Sequence, residues 1–270
     1  MDRYRLKNII IIILLLVNGF LLGVLVTRQT SQRISHRQTA EQLVGLFAAD
    51  GMNLNVDDIP VKAAPAGQSL TRDLELERAA AAFFLGQNPL RTDQGGEIYS
   101  YTGTNGGVAQ FRAGGSFDIA CALSGADGAE LIRDFCREFS YGEPSFALDD
   151  DGSGTATAVS IHGGLPVFNC TVTFTLDQGM LLAVSGTLLP EKGTETSQSQ
   201  EPLSAVAALT AFQKMRREQQ VVVSAVAEVS PCYELQSTTS SVTALVPAWC
   251  ISTDTANYYV NCITGVTTSH

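Results

Sequence analysis

Histidine is nearly absent from this chain. The three present, His36, His162 and His270, stand far apart, and none lies near Cys, Asp or Glu at metal-ligand spacing. There is no Gly-x-Ser-x-Gly elbow, so a nucleophile–base–acid relay has no visible parts. No Walker-type or dinucleotide-binding glycine loop occurs, and the glycine pairs fall between predicted strands, where turns explain them. No Cys-x-x-Cys occurs, which disfavours a redox enzyme. Positive charge is also scarce. Seventeen Lys and Arg stand against 27 Asp and Glu, a net charge of −10, and phosphate binding needs clustered positive charge. These absences leave no expected cofactor, metal or catalytic residue, and no nucleic acid as partner.

What is present is uneven. Residues 1–37 carry a net charge of +5 and the remainder −15. From Ile9 to Val26 only Asn18 is strongly polar. A helix of that length covers about 27 Å, close to the ~30 Å hydrocarbon core of a bilayer. A cleaved signal peptide has a shorter apolar region and a small-residue cleavage site. No Cys follows the run before Cys121, so a lipoprotein site is absent. The reading is an uncleaved anchor over 9–27, behind a cytoplasmic tail of residues 1–8. The flanking charges are almost balanced, but the tail is short and long domains translocate largely regardless of charge. The N-terminus is therefore placed in the cytoplasm and residues 28–270 outside, on a single-pass cell-membrane protein. Gly19 and Gly23 form a Gly-x-x-x-Gly beside Asn18, which suits close contact with a partner's membrane helix. The plainer alternative is that glycine is simply common in membrane helices.

The outer part is expected to begin with a juxtamembrane stalk helix and linker over 28–56. Three helix-then-strands units follow. The first has a helix opening at Thr71 and strands near 98–102, 108–112 and 117–123. The second has a helix with a Leu131, Ile132, Phe135, Cys136, Phe139 stripe and strands near 156–161, 165–176 and 181–188. The third has a helix from Leu203 and strands near 221–229, 233–236, 243–252 and 258–264. The fold class is α+β, with repeated helix-plus-antiparallel-sheet units. The boundaries are an α+β region over 57–190, a polar linker over 191–202 and a C-terminal α+β hairpin domain over 203–270. Asp149, Asp151 and Ser153 resemble half of a calcium loop. The twelfth position is Ser160 rather than a bidentate acid, so the run reads as a solvated acidic hairpin.

All six Cys lie in the outer part. A closing hairpin that turns about Thr255–Ala256 sets Cys250 opposite Cys262, a possible disulfide. Cys121 and Cys136 both lie on predicted core faces and could also meet. The alternative is that small thiols simply fill the core.

Two segments resemble a known family. The strand Gly164-Leu165-Pro166-Val167-Phe168-Asn169, the Pro247-Ala248-Trp249 strand and the Tyr258-Tyr259-Val260-Asn261 strand ending at Thr264-Gly265 resemble the YycI regulatory proteins. So does the opening Arg5-Leu6-Lys7-Asn8 before one membrane helix. The closing hairpin is also similar to that of PepSY-like domains. The resemblance implies a non-enzymatic, single-pass regulator of a cell-wall sensor histidine kinase. Its partners would be that kinase, of a two-component system, and a YycH-like protein. Trp249 and Phe168 match the pattern and are read as core residues. A PepSY-type peptidase inhibitor or peptide-binding module is the second reading, and a cell-wall enzyme with a site assembled in space the third.

Overall fold

The computed structural model describes residues 37–104, 106–123, 128–196, 201–237 and 242–269, together with Leu14 and Asn18. Leu14 and Asn18 are helical and exposed. The rest of the apolar run, Gly19 and Gly23 included, lies outside the described residues. Among the described residues no helix is long and apolar enough to cross a membrane.

A helix over 37–49 (α1) comes first. Its Ala40, Leu43 and Phe47 repeat at helical spacing and are buried. The chain continues as β1 (Gln68–Thr71), α2 (Leu74–Leu85), β2 (Leu90–Asp93), β3 (Tyr99–Thr102), β4 (Val108–Phe111) and β5 (Ser116–Leu123). Then come α3 (Gly128–Glu138), β6 (Ser145–Leu148), β7 (Gly154–His162), β8 (Leu165–Asp177), β9 (Met180–Thr187) and β10 (Gly193–Glu195). The last elements are α4 (Ala205–Gln219), β11 (Val226–Ser237), β12 (Val242–Thr253), β13 (Asn257–Asn261) and β14 (Thr267–Ser269).

Local chemistry sets the helix ends. The Asp73 carboxylate caps α2 by accepting from the Glu75 and Leu76 amides, so the cap stands two residues beyond the expected Thr71. Gly86, at φ +87°, ends that helix where a side chain would be strained. The Ser204 hydroxyl accepts from the Ala207 amide and starts α4.

The strands form one 14-stranded mixed sheet. Two helix-covered cores lie along it. In the first, α2 and α3 bring Phe83, Phe84, Phe135 and Phe139 into one aromatic cluster over β3, β4, β5, β7, β8 and β9. The second packs α1 and α4 on Val229, Trp249, Ile251, Tyr258 and Val260 of β11, β12 and β13. The order of helix then strands follows the expected three units, but the first two units share a core. They are joined where β5 pairs with β9, with Phe117 opposite Gly186. A Cβ at Gly186 would stand 2.5 Å from the Thr171 carbonyl oxygen, so glycine lets β8 and β9 close together there.

Several strands fall where none was expected. β1 lies in a stretch that reads as extended linker, and β10 in the polar stretch after Pro190. Both are short and pair with each other, with β1 also laid on β12. Their pairing is non-local, and no periodicity marks it. β11 runs through Pro231 unbroken. At Pro231 it is paired on one side only, by β12, where a missing N–H is tolerated. The run Asp149–Ser153 is the β6–β7 turn. The Asp149 amide donates to the Ser153 carbonyl, and the Asp151 carboxylate accepts from the Ser153 amide.

A small third cluster, Leu70, Val167, Cys170, Leu189, Tyr233 and Leu245, seals the junction of the two cores. His162 is buried beside it. Its Nε2 lies 3.0 Å from Gln68 Oε1, and its ring meets Tyr233 edge-on. Burial lowers the pKa of His162. In the unfolded chain the imidazole takes a proton below pH ~6.5, while the folded state resists it, so folding stability must fall as pH drops below that value. His162→Gln is expected to flatten this dependence by up to about 1.4 kcal/mol per pH unit between pH ~6.5 and the folded pKa. Urea denaturation of both proteins across that range measures it. Parallel pH profiles would show that His162 is not the group responsible.

Candidate functional site

The site is built by an irregularity in β8. Along β7, Val159 faces Thr171 and the next residue, Ser160, faces Val167. Phe168, Asn169 and Cys170 therefore bulge out of that ladder, and a bulge re-aims the side chains it carries. Val167 stays in the junction core, at the single position where β8 meets β11, opposite Tyr233. Asn169 turns to the backbone of β11. Its Nδ2 donates to the Leu235 carbonyl at 2.9 Å, and its Oδ1 accepts from the Leu235 amide at 2.7 Å. A side-chain amide thus replaces a strand partner.

Phe168 is delivered to a face of the sheet that, among the described residues, no helix covers. There it stacks on Tyr259 of β13, with ring centroids 3.8 Å apart and planes 12° apart. It is half-buried rather than part of a core, which corrects the core reading of this residue. Trp249 does sit in a core, fully buried on the opposite face, and its indole N–H donates to the Leu203 carbonyl at 2.8 Å.

Beside the stacked rings lies a concavity of about 230 Å³, bordered by Glu234, Asn261, Val266 and Thr268. Asn261 organises one end. Its Oδ1 accepts from the Ile263 and Thr264 amides and fixes the turn into β14. Its Nδ2 donates to Glu234 Oε2 at 2.6 Å and so holds the carboxylate. Burial pushes the Tyr259 hydroxyl up to about 12. At neutral pH Tyr259 is a neutral ring, and Glu234 is the one acidic side chain among the residues that line the concavity.

The expected Cys250–Cys262 pair is not formed, and the reason is register. The hairpin sets Ser252 opposite Asn257, so Cys250 faces Tyr259 and Asn261 faces Ala248. The turn spans four residues, and the slip of an odd number puts the two thiols on opposite faces. Cys262 joins Tyr258 and Val260 in the core under α4, while Cys250 lies on the open face. All six thiols are free. Cys121 and Cys136 share the first core without bonding. Burial raises the pKa of both Cys250 and Cys262, the latter to about 12, so neither is a ready thiolate. Of the membrane-contact candidates, Asn18 is helical and exposed, whereas Gly19 and Gly23 lie outside the described residues.

A second polar cluster fixes α1 to the C-terminal core. Asp50, at the end of α1, accepts from Arg217 Nε at 2.9 Å, Arg217 Nη2 at 2.7 Å and Gln213 Nε2 on α4. The Arg217 hydrogen bond holds the Asp50 carboxyl below its usual range. Phe47 meets Phe212 just beneath it. Sequence reasoning found neither this cluster nor Glu234, because both unite residues far apart in the chain.

No protein-family model matches the chain, and no curated protein matches it. The solved structures that match the chain include these two. An uncharacterized protein from Eubacterium rectale is 12% identical, with 77% of this chain and 81% of that chain covered at a TM-score of 0.42. The Bacillus megaterium YpeB C-terminal domain is 11% identical, with 74% of this chain and 98% of that chain covered at a TM-score of 0.36.

Proposed function

We propose that this chain is a non-enzymatic, single-pass membrane regulator. It acts on a cell-wall sensor histidine kinase, together with a second single-pass protein of the YycH kind. The segment over 9–27 anchors it, with the N-terminus in the cytoplasm and the α+β part outside. The observation that supports this reading most is where the family-like residues stand. Phe168, Tyr259 and Asn261 stand around one concavity, the rings stacked and Asn261 hydrogen-bonded to Glu234, while Asn169 holds the backbone of β11 at Leu235. Such a face suits contact with another protein. The Asp50 cluster adds a mechanical link. α1 follows the apolar run in sequence and is held to the core that carries this face, so contacts at the membrane and outside it act on one body. Regulation then requires that these contacts differ between two kinase conformations.

Crosslinked pull-down of the full-length chain from native membranes tests the reading. A sensor histidine kinase should be recovered, and Gly19→Leu with Gly23→Leu should reduce its recovery roughly threefold to tenfold, because bulk at both positions blocks close helix approach. Recovery of a peptidase or wall synthase in place of the kinase would favour the second reading, a PepSY-type inhibitor or peptide-binding module. One feature suits that alternative: among the described residues β14 pairs only with β13, which leaves an edge beside the concavity.

A further inference from the structure

We infer that the concavity between Phe168, Tyr259 and Glu234 is a receptor for one Lys or Arg side chain presented by the partner protein. This rests on the reading of the outer part as a protein-binding module and names what its open face takes.

The size argues first. Small-molecule sites are usually ~300–1,000 Å³. At about 230 Å³ this one is small for a cofactor and suits a single long side chain. The chemistry argues second. Glu234 is half-buried, and among the described residues its carboxylate has one hydrogen-bond donor, Asn261. Two carboxylate oxygens offer about four acceptor sites, so a further donor has room to bind, and a cationic donor makes the stronger hydrogen bond. Among the described residues no Lys or Arg lines the concavity to compete for it. The walls argue third. The Phe168–Tyr259 stack and Val266 supply apolar surface for the methylene stem of such a side chain, while the head remains polar. Aromatic rings also attract a cation placed near their faces. The charge of the whole agrees: the residues beyond 37 carry −15, which favours approach of a basic surface.

The geometry further explains why Asn261 is held so firmly. It is a positioning residue that keeps the Glu234 carboxylate in place through one bond and the β13–β14 turn through two others.

The test uses the full-length chain, isotope-labelled and reconstituted in lipid nanodiscs. The probes are N-acetyl-lysine methylamide, its arginine counterpart and its norleucine counterpart. The two cationic probes should bind saturably and shift the Asn261 side-chain amide signal, and norleucine should not. Glu234→Gln keeps an acceptor for Asn261, so it preserves the fold. It should weaken cation binding by about tenfold or more. Glu228→Gln, an exposed change on the same strand, should leave binding unchanged. Equal binding of lysine and norleucine, or unchanged lysine binding by Glu234→Gln, overturns the inference. The pull-down separates this inference from the reading beneath it. If Glu234→Gln recovers the kinase as well as wild type does while the Gly19 and Gly23 changes do not, the receptor is wrong and the regulator reading stands. If no kinase is recovered yet the cationic probes bind through Glu234, the receptor stands and its partner is another protein.

Discussion

Arg72→Met should destabilise the protein by about 3–5 kcal/mol at neutral pH, the usual cost of leaving a buried charge without its partner. Arg72 Nε and Nη2 donate to the two oxygens of Glu77 at 2.6 and 3.0 Å. Its Nη1 donates to the Glu97 carbonyl at 2.6 Å, and its guanidinium lies 4.8 Å from the centre of the Tyr99 ring. Both side chains are almost wholly buried, at 9% and 4% exposure. Burial already raises the pKa of Glu77, against the opposing pull of Arg72. Without Arg72 that rise must grow, because the bonds that favoured the carboxylate are gone. A folded-state pKa above the unfolded one gives stability that is present at low pH and lost as pH rises through the folded value. The variant should therefore be less impaired at pH ~5 than at pH ~8. Adding Glu77→Gln should recover most of the loss, since a neutral amide is far cheaper to bury. Urea midpoints at the two pH values measure all three proteins. A loss below about 1 kcal/mol with no pH dependence would show that the pair adds no more than a surface one.

Trp249→Ala is expected to cost a similar amount, about 3–5 kcal/mol, through the cavity it leaves in the C-terminal core. The Leu203 carbonyl also loses the indole N–H that satisfies it, which adds to the cost if water does not reach it. The damage should be local. Trp249 touches the core shared by α1, α4 and β11 to β13, whereas α2 and α3 cover a different cluster of aromatic residues. Hydrogen exchange should accelerate in α1 and α4 while α2 and α3 stay protected. Trp249→Phe should retain much of the packing and lose the hydrogen bond. Uniform acceleration over both cores would mean that the sheet unfolds as one cooperative unit.

Some of this was legible beforehand because it is local. The stripe Leu131, Ile132, Phe135, Cys136 and Phe139 predicts a half-buried helix, and on α3 or just after it the last four are buried while Leu131 is partly buried. Alternation and turn residues place most of the long strands within a few positions. The helix-then-strands order and the α+β class follow from those elements. The short strands β1, β2, β6, β10 and β14 were not legible. Each has three or four residues and is stabilised by a partner strand rather than by its own pattern. The Cys250–Cys262 expectation failed for a related reason. Hairpin register depends on where the loop closes, and here Thr253 closes it earlier in the chain by accepting from the Thr255 and Ala256 amides.

The candidate site divides the same way. The sequence by itself determined that Phe168-Asn169 and Tyr258–Asn261 form noteworthy strands, that charge is segregated between leader and body, and that one apolar run stands ahead of the α+β part. These are properties of neighbouring residues, set by composition and by the two periodicities of the backbone. Only the tertiary structure decided that the β8 bulge carries Phe168 out of the core onto Tyr259, that Glu234 answers to Asn261, and that Asp50 fastens α1 to α4. Those contacts join residues 27 to 167 positions apart. The first two exist because one sheet carries β8, β11, β12 and β13 in succession, the third because α1 and α4 cover one core, and chain-distant contact leaves no mark on the local pattern of either partner.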